Sequence, residues 1–232
     1  MTLSSAHASQ VRGIFLQTKS FYLNRGVRIT PYYNLKTKYV NSINRKGEVK
    51  LNGALLDLLR GGGYVLYARH GEATVGEDQP YLNFLYCFTQ RNLSEMGRRQ
   101  AIYYGQILHS YQIPISYPVL TSPFCRTIET AQLAFGNAGV QVDPFWFEIY
   151  RLDGNISVTE QKGILDALQS RLEIIPPQGS NKVIIAHSFP EGIGLGQIRD
   201  MGTVIVRPLG QGNGYEIAAR LSFVDLYNLS RY

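Results

Sequence analysis

The chain has 232 residues and a formal net charge of +6, from 23 basic and 17 acidic side chains. The excess lies in residues 1–50, which carry nine Lys/Arg and one acid, whereas residues 51–232 carry 14 basic and 16 acidic residues. A hydrophobic fraction of 44% and a charged fraction of 17% exclude a disordered chain. These numbers predict a single globular domain at 51–232, preceded by a basic, aromatic arm at 1–50.

The arm alternates Lys and Arg with Phe and Tyr, a pattern that can hold phosphates and stack bases. The alternative is an arm that packs its aromatic rings on the body and leaves its charges in water. We favour the second interpretation and expect no nucleic-acid partner, because no nucleic-acid-binding module pattern is present. No apolar run approaches the roughly 18 residues of a membrane span. A leader pattern is also missing, so we expect a cytoplasmic protein, with export as the alternative if a native leader precedes Met1.

Helical and strand patterns alternate along the body. Helical spacing or capping residues mark four segments: from Val49 to Gly61, Ser94 to Tyr111, Ser122 to Phe135 and Val158 to Ile174. Strand patterns mark five segments: 64–68, 118–121, 182–186, 202–206 and 215–223. Residues 140–157 are predicted to be irregular or extended. The order predicts an α/β fold with a mostly parallel central sheet and helices on both faces. The Asn213-Gly214 turn signal adds an antiparallel edge hairpin near the C-terminus.

Two of the predicted apolar strands end in a histidine. His70 follows the first strand and His187 follows the strand at 182–186. Ligand sites of open α/β sheets lie at the carboxyl ends of the strands, so these two rings are expected to converge although 117 positions separate them. A hydrogen-bonded structural histidine is the alternative for either ring taken alone.

Two arginines indicate what such a site binds. Arg69 ends a buried strand and needs an anion, either a carboxylate or a ligand. Arg126 lies in the first turn of a predicted helix, where a cation is favourable if it shares an anion with the backbone N–H groups. The sequence contains no zinc or phosphate-loop motif. Two arginines and two histidines without a metal motif predict a phosphoryl pocket that needs no metal or cofactor.

At this point the sequence resembles the histidine phosphatase superfamily, which includes the cofactor-dependent phosphoglycerate mutases. Four segments carry the resemblance in the right order: Arg69-His70-Gly71-Glu72, Leu93 to Ala101, Thr121 to Ala131 and Val183 to His187. The segment from Cys87 to Ser94 is similar to a bacterial branch of broad phosphatases. The resemblance covers about residues 62–223 and implies a phosphoglycerate mutase-like fold and a catalytic domain at 51–232.

The resemblance also implies roles for individual residues. His70 is the expected nucleophile, which forms a phosphohistidine. Arg69, Arg126 and His187 are expected to hold the phosphoryl oxygens. Glu148 is the candidate acid and base, and a surface position or an ion pair with Arg151 is the alternative. Further candidates for substrate contact are Arg91, Glu72 and Ser188. A structural ion pair is the alternative for Arg91, and Glu72 is expected to orient the pocket and not to react.

The implied activity is that of a histidine acid phosphatase-type phosphomonoesterase, with a small phosphorylated substrate and inorganic phosphate as product. A phosphoglycerate-type mutase and a non-catalytic binder of phosphorylated ligands are the alternatives, and nothing in the sequence specifies an oligomeric state. Residues 73–90 are expected to form a loop over the pocket. If they do, Cys87 approaches Cys125 and an exported protein would bridge them. The alternative is two free buried thiols.

Overall fold

The protein is described by a computed structural model over residues 52–229. Six strands form one sheet: β1 (Val65–Arg69), β2 (Ile115–Thr121), β3 (Val140–Val142), β4 (Asn181–Ala186), β5 (Thr203–Pro208) and β6 (Tyr215–Leu221). Their order across the sheet is β3-β2-β4-β1-β5-β6. The four strands from β3 to β1 are parallel, whereas β5 is antiparallel to both β1 and β6. The predicted α/β fold with an antiparallel edge is therefore confirmed.

The helices are α1 (Asn52–Gly61), α2 (Glu95–Ser110), α3 (Cys125–Phe135), α4 (Phe145–Arg151), α5 (Val158–Leu172) and α6 (Phe223–Tyr227). Successive residues of a strand point to opposite faces of the sheet, so each face is apolar, and helices cover both. Leu66 of β1 belongs to the apolar cluster under α1, α2 and α6. Its neighbour Tyr67 belongs to the cluster under α4 and α5. Burial on both faces explains why β1 and β4 have nearly continuous apolar sequences.

Two predictions about local structure are wrong. Residues 140–157 contain β3 and α4, which was missed because the helix has only seven residues. Asp143 accepts a hydrogen bond from the Phe145 N–H at 3.0 Å, and Trp146 and Ile149 are fully buried at helical spacing. The other error concerns α3, which begins at Cys125 without a side-chain cap. The Ser122 hydroxyl, predicted to cap it, lies 2.9 Å from the His187 Nε2 instead.

The predicted arm at 1–50 lies outside the described residues. Within residues 52–229, no helix combines the length and the apolar character that crossing a membrane requires. The described body therefore consists of the sheet, its two helical layers and the loops at the carboxyl ends of β1 and β4.

Candidate active site

His70 and His187 meet at the carboxyl ends of two neighbouring strands. β1 and β4 are paired in parallel, with Arg69 opposite Ala186, so the residue that follows each strand emerges at the same edge. The two imidazole rings are 5.6 Å apart between centroids, and both are at least 95% buried. The structure thus places together the two histidines that the strand-end argument singled out.

The His70 ring is held in one tautomer. Its Nδ1 lies 2.6 Å from the Gly71 carbonyl oxygen, which can only accept a hydrogen bond, so Nδ1 carries the proton. Its Nε2 accepts a hydrogen bond from the Arg126 Nε–H at 3.3 Å. Burial, followed by the charges of Arg126 and Arg69, lowers the pKa of His70 well below its ordinary value. Nε2 therefore presents a lone pair to the pocket at neutral pH.

Arg126 is the buried cation of the pocket, with 3% of its surface exposed. Its Nη1 and Nη2 bind the two carboxylate oxygens of Asp78 at 2.8 and 3.1 Å. Nη1 also donates to the Arg91 carbonyl at 3.2 Å. Burial lowers the pKa of Arg126, and the Asp78 carboxylate opposes that shift. The sequence predicted that Arg126 shares an anion with the backbone N–H groups of its helix, whereas its partner in this structure is Asp78, on the loop between β1 and α2.

His187 is positioned by a hydroxyl on each side. Its Nε2 lies 2.9 Å from the Ser122 Oγ, and its carbonyl accepts a hydrogen bond from the Tyr67 hydroxyl at 2.8 Å. The ring also packs edge-on against Phe124, with centroids 4.8 Å apart. Burial, followed by the neighbouring His70 and the two arginines, lowers the pKa of His187 well below its ordinary value. The second imidazole is thus neutral and fixed in direction.

Three other predicted site residues, Arg69, Arg91 and Ser188, line the same pocket. Arg69 donates to the Ile198 carbonyl at 3.1 Å and lies 3.4 Å from the Asp200 carboxylate. Arg91 donates from Nε to the Thr74 carbonyl at 2.8 Å. Ser188 accepts a hydrogen bond from the Ile198 N–H at 2.9 Å. Backbone contacts therefore orient all three side chains around a pocket of about 310 Å³.

Four pocket residues with side chains able to bind or transfer a proton were not predicted from the sequence. They are Glu77, Asp78, Tyr150 and Asp153. Asp78 is 6% exposed at its side chain, whereas Glu77 and Asp153 are exposed. Burial raises the pKa of Asp78, but its hydrogen bonds to Arg126 and the charge of that arginine outweigh burial and lower the pKa below its ordinary value. Asp78 is consequently an ionised partner of Arg126.

Two predicted site residues are not among those that line the pocket. Glu72 accepts a hydrogen bond from the Ser94 hydroxyl at 2.6 Å, at the first turn of α2. Glu148 lies on α4 and pairs with Arg151, one turn later, at 2.6 Å. The structure therefore shows the alternative arrangement considered for Glu148, an ion pair on the helix.

A disulfide joins Cys87 to Cys125, which lies next to Arg126. The end of the 73–90 loop that contains Cys87 is thereby fixed to the start of α3. Gly76, Glu77 and Asp78 of the same loop line the pocket, as expected for a loop over the site. Of the two alternatives for Cys87 and Cys125, the structure contains the disulfide and not two free thiols.

Part of the chain is similar to a known protein family. Residues 65–150 match the family model of the histidine phosphatase superfamily (branch 1), which confirms the resemblance stated above. A comparison with curated proteins finds no match. The match to the superfamily supports a phosphatase or mutase enzyme in the broad sense.

Solved structures that are similar to this chain include that of the protein histidine phosphatase SixA complexed with tungstate. It is 16% identical, with 70% of this chain and 99% of that chain covered and a TM-score of 0.43. Another is a phosphoserine phosphatase from Entamoeba histolytica in complex with 3-phosphoglyceric acid. It is 17% identical, with 68% and 96% covered and a TM-score of 0.43.

Proposed function

Because residues 65–150 match the histidine phosphatase superfamily and their pocket sets two arginines beside an unprotonated imidazole, we propose that the protein is a phosphomonoester hydrolase that acts through a phosphohistidine on His70. The observation that carries this proposal is the state of the His70 Nε2. It is buried, deprotonated and in contact with the Arg126 Nε–H at 3.3 Å. A nucleophile and a stabilising cation are thus already in contact before substrate binds.

In the first half of the reaction, the His70 Nε2 lone pair attacks phosphorus. The new P–N bond forms as the bond from phosphorus to the leaving oxygen breaks. The Nδ1–H of His70 keeps its hydrogen bond to the Gly71 carbonyl, and this bond stabilises the positive charge that develops on the ring. Water then attacks the phosphohistidine, releases inorganic phosphate and returns the lone pair to Nε2.

The cations supply the charge that phosphoryl transfer requires. Arg126 is beside Nε2, and Arg69 lines the same pocket from the end of β1. The neutral His187 offers one further hydrogen bond, in a direction set by Ser122. In this proposal, the arginines perform the charge stabilisation that metal ions provide in other phosphoryl-transfer sites, so turnover needs no added metal.

Asp153 is the proposed proton donor to the leaving oxygen. It follows α4 and belongs to the same segment of the chain as Glu148, but it lines the pocket, whereas Glu148 pairs with Arg151. Among the described residues, no ion pair holds the Asp153 carboxylate. Asp78 is unsuited to the role because its two oxygens bind Arg126. Asp153 is also the proposed base that activates water in the second half.

The proposed substrate is a small phosphomonoester, in keeping with a pocket of about 310 Å³. We also propose that the protein works in an oxidising compartment, since disulfides such as Cys87–Cys125 persist there and are rare in the reducing cytosol. This departs from the cytoplasmic location expected from the sequence and adopts the exported alternative.

The proposal is tested by steady-state hydrolysis of an aryl phosphate. We expect His70→Ala to lose hydrolysis, because the P–N bond can no longer form. His109→Ala is the matched control, as that ring lies exposed on α2 and outside the pocket. Wild-type turnover in His70→Ala would contradict the proposal, and transfer of the phosphoryl group to a second bound substrate without phosphate release would favour a mutase.

A further inference from the structure

We propose that Asp78 is a positioning residue, which fixes the Arg126 guanidinium so that one edge of it faces the phosphoryl group carried by His70. This inference rests on the proposed function and gives a role to a carboxylate that the sequence did not single out. Asp78 acts through Arg126 and does not touch the reacting atoms.

The five N–H groups of the Arg126 guanidinium show how it is oriented. Two of them, on Nη1 and Nη2, bind the Asp78 oxygens at 2.8 and 3.1 Å. A third, on Nη1, donates to the Arg91 carbonyl at 3.2 Å. The fourth, on Nε, donates to the His70 Nε2 at 3.3 Å. Because Asp78 spans the Nη1–Nη2 end of the planar group, the fifth N–H, on Nη2, lies on the same edge as Nε–H.

That edge is the one turned toward His70. A pair of parallel N–H groups matches two oxygens of a phosphoryl group in the way that arginine binds carboxylates and phosphates. Once phosphorus is bonded to the His70 Nε2, its oxygens lie where Nε–H and the remaining Nη2–H converge. The Asp78 carboxylate, on the other edge, is therefore compatible with a bound phosphoryl group and does not have to leave.

The Asp78 carboxylate is itself held from several sides. Besides Arg126, it accepts a hydrogen bond from the Arg91 backbone N–H at 2.8 Å and one from the Tyr150 hydroxyl. The Phe124 ring lies under the guanidinium, with its centroid 4.1 Å from the Arg126 Cζ. The carboxylate and the ring together remove the rotations that a buried arginine on a flexible stem would otherwise keep.

Contacts to α3 and within the loop fix the position of Asp78, which belongs to no helix or strand. The neighbouring Gln79 donates its backbone N–H to the Thr89 carbonyl at 2.9 Å. The Gln90 side chain accepts a hydrogen bond from the Cys125 N–H at 2.8 Å, and Cys87 is bonded to Cys125. The segment that holds Asp78 is thus attached to the residue that precedes Arg126 in the chain.

The test is the kinetics of Asp78→Asn. Asparagine keeps the size of the side chain but turns an N–H toward one Nη of Arg126, so one of the two bonds is lost. We expect kcat to fall roughly 10- to 100-fold because the guanidinium is misplaced in the transition state. We expect KM to change by less than about threefold, as for an interaction used in the transition state.

Glu129→Gln is the matched control. It removes another carboxylate–arginine pair made by α3, Arg98–Glu129 at 2.7 Å, which is more exposed and does not line the pocket. Its kcat is expected to stay within about twofold of wild type. A purely structural role for Asp78 predicts similar kcat for the two variants, with an effect on unfolding alone.

A double-mutant comparison decides whether Asp78 acts through Arg126. We expect Asp78→Asn to cause no further loss of kcat in an Arg126→Gln background. This comparison also serves if the single Asp78 variant does not fold, because the double variant exchanges the buried ion pair for two neutral amides. Wild-type kcat in Asp78→Asn, or a loss that is as large without Arg126 as with it, would overturn the inference. Turnover that survives His70→Ala would instead overturn the proposed function.

Discussion

The Nε–H of Arg126 points at the Nε2 of His70, 3.3 Å away. This contact joins the first turn of α3 to the end of β1, two elements that are 56 positions apart in the chain. A donor aimed at the lone pair keeps a proton off Nε2 in the resting protein. Once the lone pair is used in a P–N bond, the same donor is free to bind a phosphoryl oxygen. Arg126 therefore need not move between the resting protein and the phosphohistidine.

The pH dependence of stability follows from the two buried histidines. Burial and the nearby positive charges lower the pKa of His70 and of His187. In the folded protein both rings therefore stay neutral when the pH falls below 6.5, the ordinary pKa of histidine. The unfolded chain then binds more protons than the folded one, and the free energy of unfolding decreases as pH falls below about 6.5. We expect a slope of up to ~1.4 kcal/mol per pH unit for each ring.

Urea unfolding between pH 7.5 and 5.5 measures this slope. His187→Gln is expected to lower the slope by the contribution of one ring, while its amide keeps a partner for Ser122. His109→Gln, on the exposed face of α2, controls for changing a histidine outside the site. A free energy of unfolding that is flat across this range in the wild type would show that the two rings titrate normally.

The proton donor is identified by its dependence on the leaving group. We expect Asp153→Asn to slow hydrolysis of an alkyl phosphate by about 10²- to 10⁴-fold. Hydrolysis of a dinitrophenyl phosphate is expected to change little, because that leaving group departs without a proton. Steady-state rates over a series of leaving groups give the comparison.

Glu148→Gln is the control for this series, since it removes the carboxylate that the sequence suggested. Its ion pair with Arg151 is about one-third exposed, so we expect no more than ~1 kcal/mol of lost stability and unchanged dependence on the leaving group. If the rate depends steeply on the leaving group in Glu148→Gln and not in Asp153→Asn, Glu148 is the proton donor.

The disulfide is expected to contribute to stability. Cys87 and Cys125 are 38 positions apart, and closing a loop of that length stabilises the folded state by roughly 3–4 kcal/mol in the chain-entropy description. Cys87→Ser is therefore expected to lower the urea midpoint, and reduced wild type to behave in the same way. Chemical denaturation with and without reductant measures the effect.

The chain has two cysteines, so the Cys87→Ser/Cys125→Ser double variant is the natural control. Its midpoint should not respond to reductant. If the wild type in oxidising buffer has the same midpoint as the double variant, or if a thiol assay of the unreduced protein finds two free thiols, the bridge does not form.

The sequence predicted β1, β4 and the histidines that follow them because both strands are buried on both faces and have short apolar runs that end abruptly in polar residues. It also predicted an anion for Arg69, at the end of a buried strand, and for Arg126, in the first turn of a helix. What it did not reveal is which carboxylate meets Arg126, because Asp78 lies in a loop with no periodicity and its partner is 48 positions away. The geometry that selects Asp78 exists only once the loop is attached to α3.

Glu148 and Asp153 illustrate the same limit at closer range. Both come after the same run of aromatic residues. Glu148 lies on α4 and forms an ion pair on the helix, whereas Asp153 lies just beyond α4 and lines the pocket. Ser122 shows a different cause of error. Its position before a proline is typical of a helix cap, but a nearby imidazole is a competing partner for its hydroxyl.

The central claim, a covalent phosphoryl group on His70, is tested most directly by acid-free denaturing quench of the enzyme during turnover of a radiolabelled phosphomonoester, followed by peptide mapping. We expect wild type to carry label that is stable in base and lost in acid, on the peptide that contains His70. His70→Ala is expected to carry none, while phosphate release from wild type continues at the steady-state rate. Phosphate release by wild type without any labelled protein, or label on another residue, would contradict the account.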